Sequence, residues 1–242
     1  PLRLIGCGGA RLDAEVNRVL SVLGFKIIEA YGLTETSPIA AINPFSNPRP
    51  GSAGKAPPGI KLKIKAVDSI TGHGEVCVSG PNVMMGYYKR PDLTGAAIED
   101  GWFHTGDLGY YDDKGLHFSG RSKLMIKPKG YNVFPTEVEN FIMSALKEKI
   151  ENVGVVGHEH EIYSEGIIAF VEKKKGKEVT VDEINDVCKN MAAYKRPMHV
   201  VILDYGEMPL NRINKTDYVA LKNYAKKEVE RLRKEGKWDK QP

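Results

Sequence analysis

The chain has 242 residues, of which 41% are hydrophobic and 27% charged, and its 35 Lys and Arg against 31 Asp and Glu give a formal net charge of +4. This composition is that of a folded globular chain, large enough to bury a core, and excludes a disordered tail or a disulfide-stapled miniprotein. No stretch approaches the roughly 18 uninterrupted apolar residues of a membrane span. Residues 222–242 hold eight Lys or Arg against four Asp or Glu, so the remainder is neutral and no nucleic-acid-binding face is expected. Three widely spaced cysteines, Cys7, Cys77 and Cys188, fit neither a disulfide framework nor a zinc spacing and read as reduced thiols of a cytoplasmic protein, two of them in the core. The opening Pro-Leu-Arg-Leu-Ile has no signal-peptide character and reads as mid-strand, which suggests a fragment of something longer.

In chain order, Leu2 to Ile5 predicts a strand entering a glycine-rich turn at Gly6 to Ala10. Leu12, Val16, Val19, Leu20 and Leu23 then recur at helical spacing, with Asp13 as cap and Gly24 as stop. Lys26 to Ala30 predicts a second, buried strand, completing a β-α-β unit of a parallel sheet. The proline- and glycine-rich stretch from Pro44 to Gly59 marks a change of substructure. Lys61 to Val67, Glu75 to Ser79 and Gly115 to Gly120 predict strands of a small antiparallel β-subdomain, with turns at Thr71 to Gly74 and Asp112 to Gly115. Beyond Arg121, a Thr136/Glu139 capping box would open a helix burying Val138, Phe141, Ile142, Ala145 and Leu146. Strands at Asn152 to Val156, Gly166 to Val171 and His199 to Leu203, and a Thr180/Glu183 capping box leading Ile184, Val187, Cys188 and Met191, complete a compact α+β domain of about 120 residues. A last helix from Asp217 to Lys234 turns Leu221, Val229 and Leu232 inward and its Lys and Arg to solvent.

Several segments between these elements carry residue types suited to chemistry. The Gly6 to Ala10 turn lets backbone approach a nucleotide, although many such turns hold none. A dinucleotide fingerprint with Glu29 as ribose acid is disfavoured by Arg11, where Gly or Ala is required. Tyr31 to Thr36 offers a ring, a glycine, two hydroxyl side chains and a carboxylate at a strand end, the kit for a nucleotide phosphate with Mg²⁺; it reads equally well as a turn that caps the next segment. Gly101 to Gly109 sets Trp102, Phe103 and Asp107 between glycines. Asp107 could accept hydrogen bonds from a sugar diol, whereas His104 beside two aromatic rings reads as structural. Arg121, Lys123, Lys127 and Lys129 put four cations within nine residues at the boundary between the two halves, as in an anion-facing linker. The spacing of Pro209 to Asp217 says nothing by itself about Lys215.

Taken in order, these segments resemble the adenylate-forming (AMP-binding) superfamily of acyl-CoA synthetases, peptide-synthetase adenylation domains and luciferases. The resemblance rests on Tyr-Gly-Leu-Thr-Glu-Thr at 31, Gly-Trp-Phe-His-Thr-Gly-Asp at 101, Gly-Arg-Ser-Lys-Leu-Met-Ile-Lys at 120 and a Lys in Pro-x₅-Lys at 215, and it spans nearly the whole chain. It implies an α/β plus α+β architecture. Residues 1–122 would be the C-terminal part of the large AMP-binding domain, comprising the β-α-β unit and the β-subdomain, and residues 123–242 the small mobile α+β domain, with a hinge at Lys123. It further implies an acid–thiol ligase that activates a carboxylic acid with ATP and passes the acyl group to coenzyme A. The alternatives are loading of a carrier-protein phosphopantetheine or a non-catalytic nucleotide-binding module. By the same resemblance Gly8, Gly9, Ala10 and Gly32 would line the nucleotide and Tyr31 would stack on adenine. Thr34 would bind the α-phosphate and Glu35 would hold Mg²⁺, while Asp107 and Arg121 would grip the ribose. Lys215 would stabilise the charge of adenylation, and Lys127 with Gly130 would serve coenzyme A. Two departures stand out: Asn214 replaces the usual glycine before the lysine, and the family's Ser/Thr/Gly-rich phosphate loop is not among these residues.

Overall fold

The computed structural model describes residues 2–9, 12, 14–69, 72–212 and 214–240. The chain divides into two compact units, Pro1–Ser122 and Lys123–Pro242.

In the first unit, strand β1 (Leu4–Cys7), helix α1 (Ala14–Val22) and strand β2 (Lys26–Tyr31) form the β-α-β unit. β1 and β2 run parallel with Leu4 opposite Lys26 and Cys7 opposite Glu29, and the two-residue β3 (Ala41–Ile42) returns antiparallel to β2. Ile27 and Ile28 are buried as the run of apolar residues requires. The predicted apolar face of α1 is a different matter: Val16, Val19 and Leu23 are exposed, and among the described side chains of the helix Asn17 is the buried one. Asn17 turns inward because its amide donates to Glu29 Oε1 at 2.9 Å. Asp13, Ala10 and the Thr71 end of the predicted turn lie outside the described residues.

The rest of this unit is an antiparallel sheet built from β4 (Lys61–Lys65), β5 (Gly74–Ser79), β6 (Ile98–Glu99), β7 (Trp102–Asp112) and β8 (Gly115–Arg121), with a short helix α2 (Pro91–Ala97) leading into β6. β7 is the hub, pairing with β5, β6 and β8. Alternation along β4 and β5 sends Leu62, Ile64, Val76 and Val78 to one face, and Val76 joins Ala41 and Leu116 in a small core against Tyr31. Register shifts at Glu75/Cys77 and Leu108/Gly109 bend β7, which carries Asp107 at this irregular stretch.

The second unit is a three-stranded sheet covered on both faces. β9 (Ile150–His160) pairs antiparallel with the central β10 (Ser164–Lys173), and β11 (His199–Leu203) pairs parallel with it. On β10, Ile167, Ala169 and Val171 face α3 (Pro135–Leu146) and α4 (Val181–Cys188), while Ile168 and Phe170 face α5 (Tyr218–Lys234). This two-sided burial is why the strand reads as an unbroken apolar run. The Thr180/Glu183 capping box forms, with Glu183 N donating to Thr180 Oγ1 and Thr180 N to Glu183 Oε2. Asp217 caps α5 through the amides of Val219 and Ala220, and Leu221, Val229 and Leu232 are buried.

The Thr136/Glu139 capping box does not form. Pro135 occupies the first helical position, so Phe134 is the N-cap and Thr136 lies inside α3. Glu139 is carried one turn inward, where it accepts hydrogen bonds from Val155 N and the Tyr218 hydroxyl, both at 2.8 Å. Val138 and Ile142 are fully buried, whereas Ala145 is exposed.

Candidate functional site

The carboxyl ends of β1 and β2 and the bent stretch of β7 carry the predicted nucleotide residues. Tyr31 closes β2, and its hydroxyl donates to Asp107 Oδ2 at 2.8 Å across 76 residues of sequence. Arg121, at the end of β8 and opposite Asp107 in register, places Nε 3.1 Å from Asp107 Oδ1. Asp107 is held from behind: its amide donates to Thr105 Oγ1, which itself donates to Val76 O, and Gly106 N donates to Glu75 Oε1. The Asp107 carboxylate is only 4% exposed, while Arg121 is open to solvent. Burial pushes the Asp107 pKa above the usual carboxylate range, opposed by the Tyr31 hydroxyl and Arg121. Burial likewise raises the Tyr31 phenol, and the Asp107 carboxylate adds to that shift. Although Arg121 is close, Oδ1 of Asp107 is a buried oxygen that accepts no hydrogen bond among the described residues. A buried carboxylate oxygen in that state is suited to receive a hydroxyl proton.

Thr34, Glu35 and Thr36 form a single 3-10 turn after β2. Thr36 is fully buried and its hydroxyl closes the turn, accepting from Leu33 N at 2.9 Å and donating to Leu33 O at 3.0 Å. Thr34 is exposed and Glu35 partly so. Thr36 therefore takes the capping role, while Thr34 and Glu35 are left toward solvent. Glu35 accepts from the Tyr87 hydroxyl at Oε1, and its other oxygen has no partner among the described residues. A carboxylate oxygen so presented is the hard donor that a magnesium ion takes. Gly8 and Gly9 are exposed beyond β1, while Ala10 lies outside the described residues.

Gly32 is required by the protein's own chain. A Cβ there would stand 1.8 Å from Pro38 O and 3.0 Å from Ala40 N, because Ala40 N bonds back to Tyr31 O. Gly32→Ala is expected to destabilise the first unit by about 1–3 kcal/mol through overpacking. A thermal unfolding midpoint equal to the unmodified protein's would show that the loop yields instead.

Glu29, the acid of the rejected dinucleotide reading, is tied to Asn17 and to Gly51 N. His104 lies within β7 and is held by its neighbours. Its Nδ1 lies 2.8 Å from Glu75 Oε2, with Cys77 Sγ at 3.7 Å. The Glu75, Cys77 and His104 side chains have the atoms of a metal site, but both Glu75 oxygens are already engaged and the Lys65 ammonium stands 3.5 Å from His104 Nε2.

In the second unit, Lys127 and Gly130 lie on a loop between Ile126 and Val133, which pair with each other. Lys127 N donates to Glu165 and Lys129 N to Tyr163 O, leaving the Lys127 side chain exposed. Gly130 has φ +83°, and a Cβ on it would meet nothing within 4 Å, so conformation rather than crowding calls for glycine there. Lys215 ends a tight turn in which Asn211 N donates to Lys215 O at 2.7 Å and Lys215 N to Asn211 Oδ1 at 3.1 Å. Asn214 takes the left-handed conformation with φ +56°, one that asparagine tolerates where glycine is usual. Lys123 is exposed in the 3-10 turn Ser122–Leu124.

The segment Asn82 to Tyr87, which sequence reading passed over, grips the Thr34–Thr36 turn. Asn82 Nδ2 donates to Thr36 O and Ile39 O, Met84 N to Glu35 O, and the Tyr87 hydroxyl to the Glu35 carboxylate. Its visible signal is the pair of turn residues Gly80 and Pro81 before it and Gly86 within it.

Residues 1–88 match the family described as AMP-binding enzyme, and residues 137–215 match the AMP-binding enzyme C-terminal domain. The chain belongs to the adenylate-forming, AMP-binding enzyme family. It is 37% identical to the 2-succinylbenzoate–CoA ligase of Geobacillus sp. (strain WCH70), a match covering 86% of this chain and 43% of that protein. It is 34% identical to the luciferin 4-monooxygenase of Luciola mingrelica, over 92% of this chain and 42% of that one. The structure of o-succinylbenzoate coenzyme A synthetase (MenE) from Bacillus subtilis in complex with ATP and magnesium ion superposes with a TM-score of 0.78 at 32% identity, covering 88% of this chain and 45% of that chain. This member of the family thus spans less than half the length of the relatives it matches. Among the described residues no helix is long and apolar enough to cross a membrane.

Proposed function

We propose that the chain is the C-terminal portion of an ATP-dependent acid–CoA ligase, which joins a carboxylic acid to coenzyme A through an acyl-adenylate. The observation that carries this reading is the Tyr31–Asp107–Arg121 cluster, whose buried Asp107 Oδ1 accepts no well-aligned hydrogen bond among the described residues although Arg121 Nε stands 3.1 Å away. A ribose hydroxyl supplies that bond, and Arg121 adds a second contact to the sugar. Gly8, Gly9, Ala10 and Gly32 border the nucleotide, Tyr31 stacks on the base, and Thr34 donates to the α-phosphate. Glu35 holds magnesium, which when bound neutralises phosphate charge.

In the first half-reaction the substrate carboxylate attacks the α-phosphorus and pyrophosphate leaves. Lys215 contacts the carboxylate and the bridging oxygen of ATP and stabilises the negative charge that builds on that oxygen as pyrophosphate leaves. In the second, a thiolate attacks the acyl carbon and AMP leaves. On this reading residues 1–122 belong to the large AMP-binding domain, residues 123–242 act as the small mobile domain, and Lys123 is the hinge that changes which lysine serves the reaction. Lys127 and Gly130 then serve the pantetheine thiol of coenzyme A. The covering of the exposed Leu2, Leu4, Val16, Val19, Val22 and Leu23 falls to the remainder of the ligase.

The test is carried out on the full-length protein. Lys127→Ala is expected to slow thioester formation by about tenfold, the worth of one charge-assisted contact, and to leave carboxylate-dependent ATP–pyrophosphate exchange within about twofold. Equal losses in both half-reactions would sink the division of labour between Lys127 and Lys215. Absence of exchange with every acid in a broad panel would sink the ligase reading itself.

A further inference from the structure

The Tyr87 hydroxyl donates to Glu35 Oε1 at 3.0 Å, and it is the only hydrogen-bond partner the Glu35 carboxylate has among the described residues. Glu35 sits at the middle of a three-residue turn and is partly exposed, so its own backbone leaves the side chain several rotamers. Tyr87, in contrast, is fixed at its base. Its amide donates to Thr94 Oγ1 at 2.9 Å, that hydroxyl donates to Arg90 O at 2.9 Å, and Arg90 N returns to Tyr87 O at 3.1 Å. Two further bonds, from Asn82 to Thr36 O and from Met84 N to Glu35 O, secure the backbone of the turn that carries Glu35. A carboxylate held at one oxygen by a donor whose backbone is fixed has fewer orientations open to its second oxygen. Such an outer partner fixes ligand orientation and commonly contributes 10- to 100-fold to metal affinity.

We propose that Tyr87 is a positioning residue for the divalent cation: by holding Oε1 of Glu35 it presents Oε2 to the metal that accompanies the nucleotide. The assignment rests on the reading of Glu35 as the magnesium ligand. It adds a residue on a separate segment, and it requires Tyr87 to act through Glu35 without touching the nucleotide.

The test uses Tyr87→Phe in the full-length protein, a change that removes one hydroxyl and keeps the ring. Binding of the Mn²⁺–ATP complex by the protein, read from the water-proton relaxation enhancement above that of Mn²⁺–ATP without protein, is expected to weaken by about tenfold. Affinity for AMP titrated without metal is expected to stay unchanged, and so is metal binding by Tyr88→Phe, whose ring is 86% exposed. Wild-type Mn²⁺ affinity in Tyr87→Phe would overturn the proposal while leaving Glu35 as ligand. An equal loss of AMP affinity would overturn it too, since a merely structural tyrosine would give that result. If the unmodified protein binds no Mn²⁺ with ATP, the reading of Glu35 fails, and the role of Tyr87 fails with it.

Discussion

Lys215→Ala in the full-length protein is expected to lower carboxylate-dependent ATP–pyrophosphate exchange by about a hundred- to a thousandfold, the loss typical of removing one preorganised donor from a developing charge. The turn that carries Lys215 makes this a clean experiment. It is closed by backbone and Asn211 contacts: Asn211 N to Lys215 O, Lys215 N to Asn211 Oδ1, and Asn214 N to Asn211 O. The bridge between Leu210 and Thr216 and the bond from Asp217 N to Pro209 O flank it. All of these survive truncation of the lysine beyond Cβ, so the variant loses charge and keeps its loop. Two controls follow from the same geometry. Thioester formation from supplied acyl-adenylate is expected within about threefold of the unmodified rate, since no adenylation remains to be catalysed. Lys215→Arg is expected to recover only part of the activity, because a planar fork does not place its charge where a compact ammonium does. Wild-type exchange in Lys215→Ala would remove the lysine from the mechanism.

What could be read from sequence was whatever is local. The β-α-β unit announced itself through two apolar runs around a helical repeat, and β11, α4 with its capping box, and α5 followed from short-range rules. β7 did not. Its centre is His104, Thr105, Gly106 and Asp107, polar and glycine-containing, and it exists as a strand because β5, β6 and β8 all pair with it. The same distinction governs the site. The residue types around Tyr31, Asp107 and Arg121 were legible, but the Tyr31 to Asp107 bond spans 76 positions and had to come from the fold. Tyr87 was invisible because a tyrosine in a turn-rich segment has no pattern of its own, and its role appears only once Thr94 and Glu35 stand on either side of it. The Thr136/Glu139 pair shows the converse error. Its spacing satisfies the capping rule, yet Pro135 starts the helix earlier and releases Glu139 for a long-range contact.

That contact gives the second large effect. Burial pushes the Glu139 carboxyl up to about 7, against the lowering influence of Val155 N and the Tyr218 hydroxyl. No cation pairs with it among the described residues, so these two hydrogen bonds offset only part of the cost of burying its charge. Because the folded-state pKa lies above the unfolded value of 4.5, the folded protein holds a proton that the unfolded chain releases between those two values. Stability from this group is therefore full below about pH 4.5 and declines as pH rises to about 7, by about 3 kcal/mol at 1.36 kcal/mol per unit. Glu139→Gln has the same shape, and its amide oxygen can accept from both Val155 N and Tyr218. The variant is expected to lack this slope, so that its stability relative to the unmodified protein rises by about 3 kcal/mol between pH 4.5 and pH 8. Other titrating groups cancel in that difference, which urea unfolding at several pH values measures directly. A pH-independent difference would mean that Glu139 ionises normally in the folded protein.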